Sequence, residues 1–205
     1  MKQKAKIAVL VSGGGTNLQA LIDAQNSGII KNGEIVLVIS NNSSAYALTR
    51  AEKAKIKTAV VLKKECCDQS DFENRILNLL VENKIDMIVL AGFMSILSAN
   101  FVSHYFERII NVHPSLIPSF CGEGFYGLRV HEAALNYGVK VTGATVHYVN
   151  EIPDGGKIIL QKAVEVQEGD TPEKLQKRVM EQAEWIILPQ AAELVSAKII
   201  DERTN

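Results

Sequence analysis

The sequence predicts an α/β protein: a doubly wound, mostly parallel sheet with helices on both faces and an antiparallel C-terminal extension. Three observations carry that prediction. Continuously apolar runs of strand length alternate with segments of helical period through the first half of the chain, and such alternation builds right-handed βαβ units around a parallel sheet. A glycine-rich turn, Ser12-Gly13-Gly14-Gly15-Thr16-Asn17, stands where the first strand passes into the first helix. Past residue 140 the alternation stops, and two strand-like runs follow with only a turn between them, which calls for antiparallel pairing.

Residues 7–11 (IAVLV) are apolar throughout rather than alternating, so the first strand is expected to be buried on both faces. A helix begins at Thr16, with Leu18, Leu21, Ile22 and Ala24 at helical spacing. The second strand is residues 34–40 (EIVLVIS), followed by a helix that runs through Ala54, and residues 58–62 make the third strand. Asp68 is the expected N-cap of a helix carrying Phe72, Ile76, Leu79 and Leu80. Residues 86–91 (DMIVLA) and 108–112 (RIINV) are the fourth and fifth strands. Residues 142–149 and 157–166 form the antiparallel pair across the turn at 150–156, and a long amphipathic helix spans 171–194, capped by Asp170 or Thr171 with Pro172 in its first turn. Neither a repeat nor a linker interrupts the chain, and one domain over 1–205 is expected.

Composition narrows the function. The net charge of −1, with 47% hydrophobic and 22% charged residues, offers no broad basic surface for nucleic acid or for an anionic membrane. The apolar run after the basic residues 1–6 is too short for a signal peptide, and no stretch approaches the roughly 18 apolar residues of a membrane span. Cys66, Cys67 and Cys121 are odd in number and two are adjacent, which points to a reducing, cytoplasmic compartment. The histidines, at 104, 113, 131 and 147, have neither His-x-x-x-His spacing nor a Cys-x-x-Cys pair beside them, so no metal is expected. Oligomeric state is left open.

Three segments carry chemistry. In the glycine turn, backbone N–H groups and a helix N-terminus can face an anion. It is neither the dinucleotide fingerprint, since Leu18 stands where a third glycine would, nor a P-loop, since no Gly-Lys-Ser/Thr follows. A bare strand-to-helix turn is the competing reading. In the second segment, Asn111-Val112-His113-Pro114, the amide and the imidazole lie two apart on a strand end and share one side of it. Together they suit an oxyanion and proton traffic at the carboxyl edge of the sheet, where open α/β sheets bind ligands. A satisfied strand end would look the same. In the third, Asp154-Gly155-Gly156, a carboxylate sits in a turn with His147 seven residues earlier. Asp-Gly is also an ordinary hairpin turn.

Taken in order, residues 9–19 (VLVSGGGTNLQ), Ser40 and Asn41, 89–97 (VLAGFMSIL), 110–118 (INVHPSLIP), 131–135 and 146–161 (VHYVNEIPDGGKIILQ) resemble the folate-dependent formyltransferase family, and within it the members that formylate glycinamide ribonucleotide. The resemblance implies transfer of the formyl group of 10-formyltetrahydrofolate, without a metal, to that small-molecule substrate in purine biosynthesis. It implies that Asn111, His113 and Asp154 are catalytic. Gly15, Thr16 and Asn17 would hold the ribonucleotide phosphate and Glu184 its ribose. Met94, Ser95, Ile96 and Leu97, with Asn111, Asn150, Glu151, Ile152, Pro153 and Asp154, would wall the folate pocket. Gln69 stands where the family often has a folate-reaching Arg, and Trp185 where His is usual. The long stretch 119–127 has three glycines and the aromatics Phe120, Phe125 and Tyr126, and is expected to be an exposed, mobile lid.

Overall fold

The structure is a computed structural model and describes residues 3–204. Seven strands form one sheet in the order β3-β2-β1-β4-β5-β6-β7. In chain order they are β1 (Ala5–Val11), β2 (Gly33–Ser40), β3 (Lys57–Val60), β4 (Met87–Leu90), β5 (Ile109–His113), β6 (Val141–Tyr148) and β7 (Ile158–Glu165). The first five are parallel; β6 pairs antiparallel with β5, and β7 antiparallel with β6. The mostly parallel sheet with an antiparallel extension is therefore as the sequence predicts.

Helices α1 (Thr16–Asn26), α2 (Tyr46–Lys53), α3 (Gln69–Glu82), α4 (Ala99–Ser103), α5 (Leu128–Tyr137), α6 (Pro172–Val179) and α7 (Trp185–Glu202) cover the two faces. The continuously apolar strands follow from this covering. Ile7, Val9 and Val11 belong to a core with Leu18 and Leu21 of α1 and Leu188, Ala191 and Val195 of α7. Ala8 and Leu10, pointing the other way, join Phe72, Ile76 and Leu80 of α3 and Phe101 of α4 in a second core. Successive side chains alternate faces, so a strand with helices on both sides needs apolar residues at every position.

Several boundaries differ from the sequence reading. The short α4 and the ten-residue α5 have no counterpart in it. The buried positions of α5 are Val130, His131 and Ala134; with a histidine in so short a stripe, the apolar periodicity is thin. The predicted helix over 171–194 is capped by Thr171, as expected, but it is not one α-helix. It passes through a π-helical turn, Met180–Glu184, and α7 continues to Glu202. Pro189 lies inside α7 and lacks the N–H that the carbonyl of Trp185 would otherwise receive.

Candidate active site

The strand order reverses between β1 and β4, so the loops leaving these neighbours diverge and open a crevice at the carboxyl edge. Ser12 and Met94 bridge its floor: the Met94 N–H donates to Ser12 Oγ at 2.8 Å.

Asn111 and His113 project from the last residues of β5, and the antiparallel register of β6 sets His147 opposite Asn111. Asp154 arrives from the β6–β7 turn, held by Gly155 N–H to the Ile152 carbonyl (2.9 Å) and Ile152 N–H to Asn150 Oδ1 (3.0 Å). Both glycines of the turn are required by close approach. A Cβ on Gly156 would lie 1.7 Å from the Tyr148 carbonyl oxygen, and one on Gly155 would meet Ile152 Cγ2 at 2.7 Å. Asp154 itself has φ 54°, a left-handed conformation that Asp and Asn tolerate better than most residues.

These elements bring the three side chains together. Asp154 Oδ2 lies 3.4 Å from His113 Nδ1, and Oδ1 lies 3.6 Å from His147 Nε2. His147 Nδ1 is 2.8 Å from the Tyr148 carbonyl. That contact places a proton on Nδ1, while Nε2 lies 3.3 Å from Asn111 Nδ2. His113 Nε2 lies 2.8 Å from the Phe120 carbonyl and donates to it. Burial pulls the His113 imidazolium down from its usual value, against the opposing pull of the Asp154 charge and the Phe120 carbonyl. Burial pushes the Asp154 carboxyl up, but the His147 hydrogen bond, the His113 charge and the Gly122 N–H together outweigh it, and the group ends below the usual carboxylate range. A carboxylate held ionised beside two imidazoles can accept a proton.

Residues 119–127 lie over this group. Besides the Phe120 carbonyl on His113, the Gly122 N–H donates to Asp154 Oδ2 at 2.9 Å. Phe120 has φ 49°, an outlier for a bulky residue. The exposed aromatics expected here are only partly so. Phe120 and Phe125 are half-buried, Phe120 meeting Phe125 and Tyr137 edge-on, and Tyr126 alone is exposed.

On the other side of the crevice, Gly15 adopts φ 73° and closes on α2, where a Cβ would lie 2.6 Å from Ala47 Cβ. Gly13 and Gly14 face open space. Asn17 Nδ2 donates to Glu184 Oε2 at 2.7 Å, and Glu184, last residue of the π-helical turn, is 6% exposed. Burial raises its carboxyl, with the Asn17 bond opposing. Asn17 Oδ1 is buried and has no partner among the described residues. A π-helical turn carrying a buried acid is a frequent companion of functional sites, and the orphan acceptor is available to a ligand hydroxyl.

The residues expected to wall a folate pocket fall in two loops that face each other. Ser95, Ile96 and Leu97 after β4, and residues 150–154 after β6, line a cleft of about 140 Å³ that also reaches Asn111 and His147. Met94 does not line it: its side chain is exposed while its N–H turns to Ser12. Gln69 is engaged within the protein, donating to the Ile96 carbonyl (3.1 Å) and to Glu73 (2.7 Å). Glu73 is 4% exposed and also accepts from the Ser98 N–H at 2.7 Å and from the Ser98 hydroxyl. The Gln69–Glu73 pair thus fixes the wall from behind. Among the described residues no group of three or more His, Cys, Asp or Glu is arranged to hold a metal.

Residues 5–192 match the family model described as formyl transferase. The chain belongs to the formyl transferase family. Among its relatives in this family, human trifunctional purine biosynthetic protein adenosine-3 is 46% identical over 204 residues, covering all of this chain and 20% of that protein. The phosphoribosylglycinamide formyltransferase of Haemophilus influenzae is 43% identical over 184 residues, 90% of this chain and 84% of that one. The chain therefore spans about a fifth of the trifunctional relative and most of the bacterial one. The crystal structure of glycinamide ribonucleotide transformylase 1 from Symbiobacterium toebii superimposes with a TM-score of 0.89 at 38% identity, over 95% of this chain and 89% of that one. Sequence reasoning did not give His147 a role beside Asp154 and Asn111. The antiparallel pairing of 142–149 with the fifth strand would have shown it opposite Asn111.

Proposed function

We propose that the chain transfers the formyl group of 10-formyltetrahydrofolate to the primary amine of glycinamide ribonucleotide, in de novo purine biosynthesis, by direct acyl transfer. The observation that carries this reading is Asp154, 3.4 Å from His113 and 3.6 Å from His147, which in turn lies 3.3 Å from Asn111, where two clefts of opposite character converge. One cleft offers open glycines, Thr16, Asn17 and Glu184 to a phosphate and ribose. The other, between 95–97 and 150–154, offers a pocket for the folate.

In the reaction the amine nitrogen attacks the formyl carbon and the carbonyl oxygen gains negative charge. The His113 Nε2–H and the Asn111 amide donate to that oxygen. The Phe120 carbonyl, which takes the His113 Nε2–H in the free protein, is the acceptor that the formyl oxygen replaces. Asp154 takes the amine proton directly or through a water, as the Gly122 N–H it now accepts withdraws. Collapse of the tetrahedral intermediate breaks the bond to the folate nitrogen, which takes up a proton and leaves as tetrahydrofolate. Asn111 lies between the two functions, since its amide also holds His147.

The free Cys66, Cys67 and Cys121 fit a reducing, cytoplasmic compartment. No helix among the described residues is long and apolar enough to cross a membrane. The proposal is tested by incubating the purified chain with 10-formyltetrahydrofolate and glycinamide ribonucleotide. Stoichiometric appearance of tetrahydrofolate and the formylated amide supports it. Release of formate without formylation of the amide contradicts it.

A further inference from the structure

A second cavity, of about 540 Å³, lies between α1 and the first turns of α7, within the roughly 300–1,000 Å³ typical of small-molecule pockets. Thr16, Ala20 and Asp23 form a stripe along α1 on one side, and Trp185 and Pro189 face them from α7. Asn17 and Glu184 pair with each other and do not line it. Their neighbours Thr16 and Trp185, about 100° further round each helix, turn into this cavity.

Arg50 also lines it. Its Nε–H donates to the Gly14 carbonyl at 2.8 Å and its Nη1 to Gln19 Oε1 at 3.1 Å, and its guanidinium lies 5.0 Å from the centre of the Tyr46 ring. Among the described residues it has no carboxylate partner. A half-buried guanidinium without an anion, beside an apolar cavity faced by an indole, matches a ligand that joins an anion to an aromatic ring. The Asp23 carboxylate accepts one N–H from Gln19 at 2.9 Å and keeps lone pairs for an exocyclic amino group. Glycinamide ribonucleotide has no aromatic ring to lay against the indole.

We propose that this cavity binds an aminopurine nucleoside 5′-monophosphate, with its phosphate at Arg50 and Thr16 and its base against Trp185. Because Thr16 is common to both ligands, the nucleotide competes with the ribonucleotide substrate; that competition, though not the binding, rests on the function proposed above. It raises the apparent KM for the ribonucleotide and leaves kcat unchanged.

Trp185 is the single tryptophan of the chain, so its emission reports the site directly. Titration of the full chain with AMP is expected to change that emission saturably below about 1 mM, with adenosine and ribose 5-phosphate each at least about tenfold weaker. Ala20→Phe fills the cavity from its α1 wall and should abolish the response while formyl transfer persists. Arg50→Gln should weaken AMP about tenfold and leave adenosine unchanged, which decides the matter should Ala20→Phe misfold. The proposal is overturned if wild-type emission shows no saturable response up to about 5 mM AMP. Undiminished AMP affinity in either folded variant overturns it equally. Failure in these arms with formyl transfer intact would remove the nucleotide site alone.

Discussion

Gly14 and Gly15 are adjacent in one turn, yet the structure separates what each one does. A side chain on Gly15 would collide with the Ala47 backbone, whereas Gly14 faces open space. Loss of activity in Gly15→Val would therefore mix a folding defect with a binding defect. Gly14→Val is the informative substitution. It should raise the KM for the ribonucleotide about tenfold or more by obstructing the phosphate, with Tm and folate affinity near wild type. A Gly14→Val enzyme that lost folate affinity and kept its ribonucleotide KM would show the turn to be misassigned. His131 makes a second case at this scale. It is fully buried on α5, neither ring nitrogen has a partner among the described residues, and burial, with the nearby His113, pulls its pKa to about 4. The unfolded chain, with histidine near 6.5, binds this proton first as the pH falls. Stability is then lost between about pH 6.5 and 4, by about 2–3 kcal/mol from this residue. Urea unfolding of wild type and His131→Leu over that range checks it: the variant should lack this part of the acid dependence, since Leu leaves no buried nitrogen to charge. Parallel curves would contradict the assignment.

At the scale of elements, the segment 119–127 reaches into the site through its backbone, with Phe120 and Gly122 as its two contacts. In the proposed reaction, the acceptor on His113 and the donor on Asp154 occupy the positions that a formyl oxygen and an amine would need, so the segment would withdraw before both substrates bind. Hydrogen exchange should find the Gly122 amide partly protected in the free protein. Its exchange should quicken when both ligands bind, while other amides of the segment slow as it settles over them. An exchange pattern identical with and without ligands would remove the lid. This contact was not legible in the sequence, because it depends on a backbone carbonyl and a backbone amide that any residues could supply. The π-helical turn at 180–184 was equally hidden: its residues fit an α-helical pattern, and only the geometry shows Glu184 carried inward against Asn17. By contrast β1, β2, β4 and β5 were legible, because burial on both faces leaves a continuous apolar run that polar loops interrupt.

Over the whole molecule, the parallel part of the sheet supplies the crevice and the antiparallel extension supplies the proposed base. Asn111 and His113 come from the last parallel strand, His147 from the strand that reverses beside it, and Asp154 from the turn that follows. The sequence made the three segments legible one by one, through Gly-Gly-Gly-Thr-Asn, Asn-x-His-Pro and Asp-Gly-Gly. It could not show their meeting, which depends on strand order and on the register of β5 with β6. In the proposed reaction a carboxylate from the extension takes a proton in chemistry assembled on the parallel edge. Asp154→Asn tests it most directly. Asn accepts the left-handed φ of 54° and the Gly122 N–H, but it can neither take a proton nor balance the charge of His113. Single-turnover and steady-state kinetics should show kcat lower by about 10²-fold or more, with Tm and both ligand affinities close to wild type. Adding His113→Asn should cost little more, because the two act as one unit. An Asp154→Asn enzyme that folds, binds both ligands and retains near-normal kcat would contradict the account.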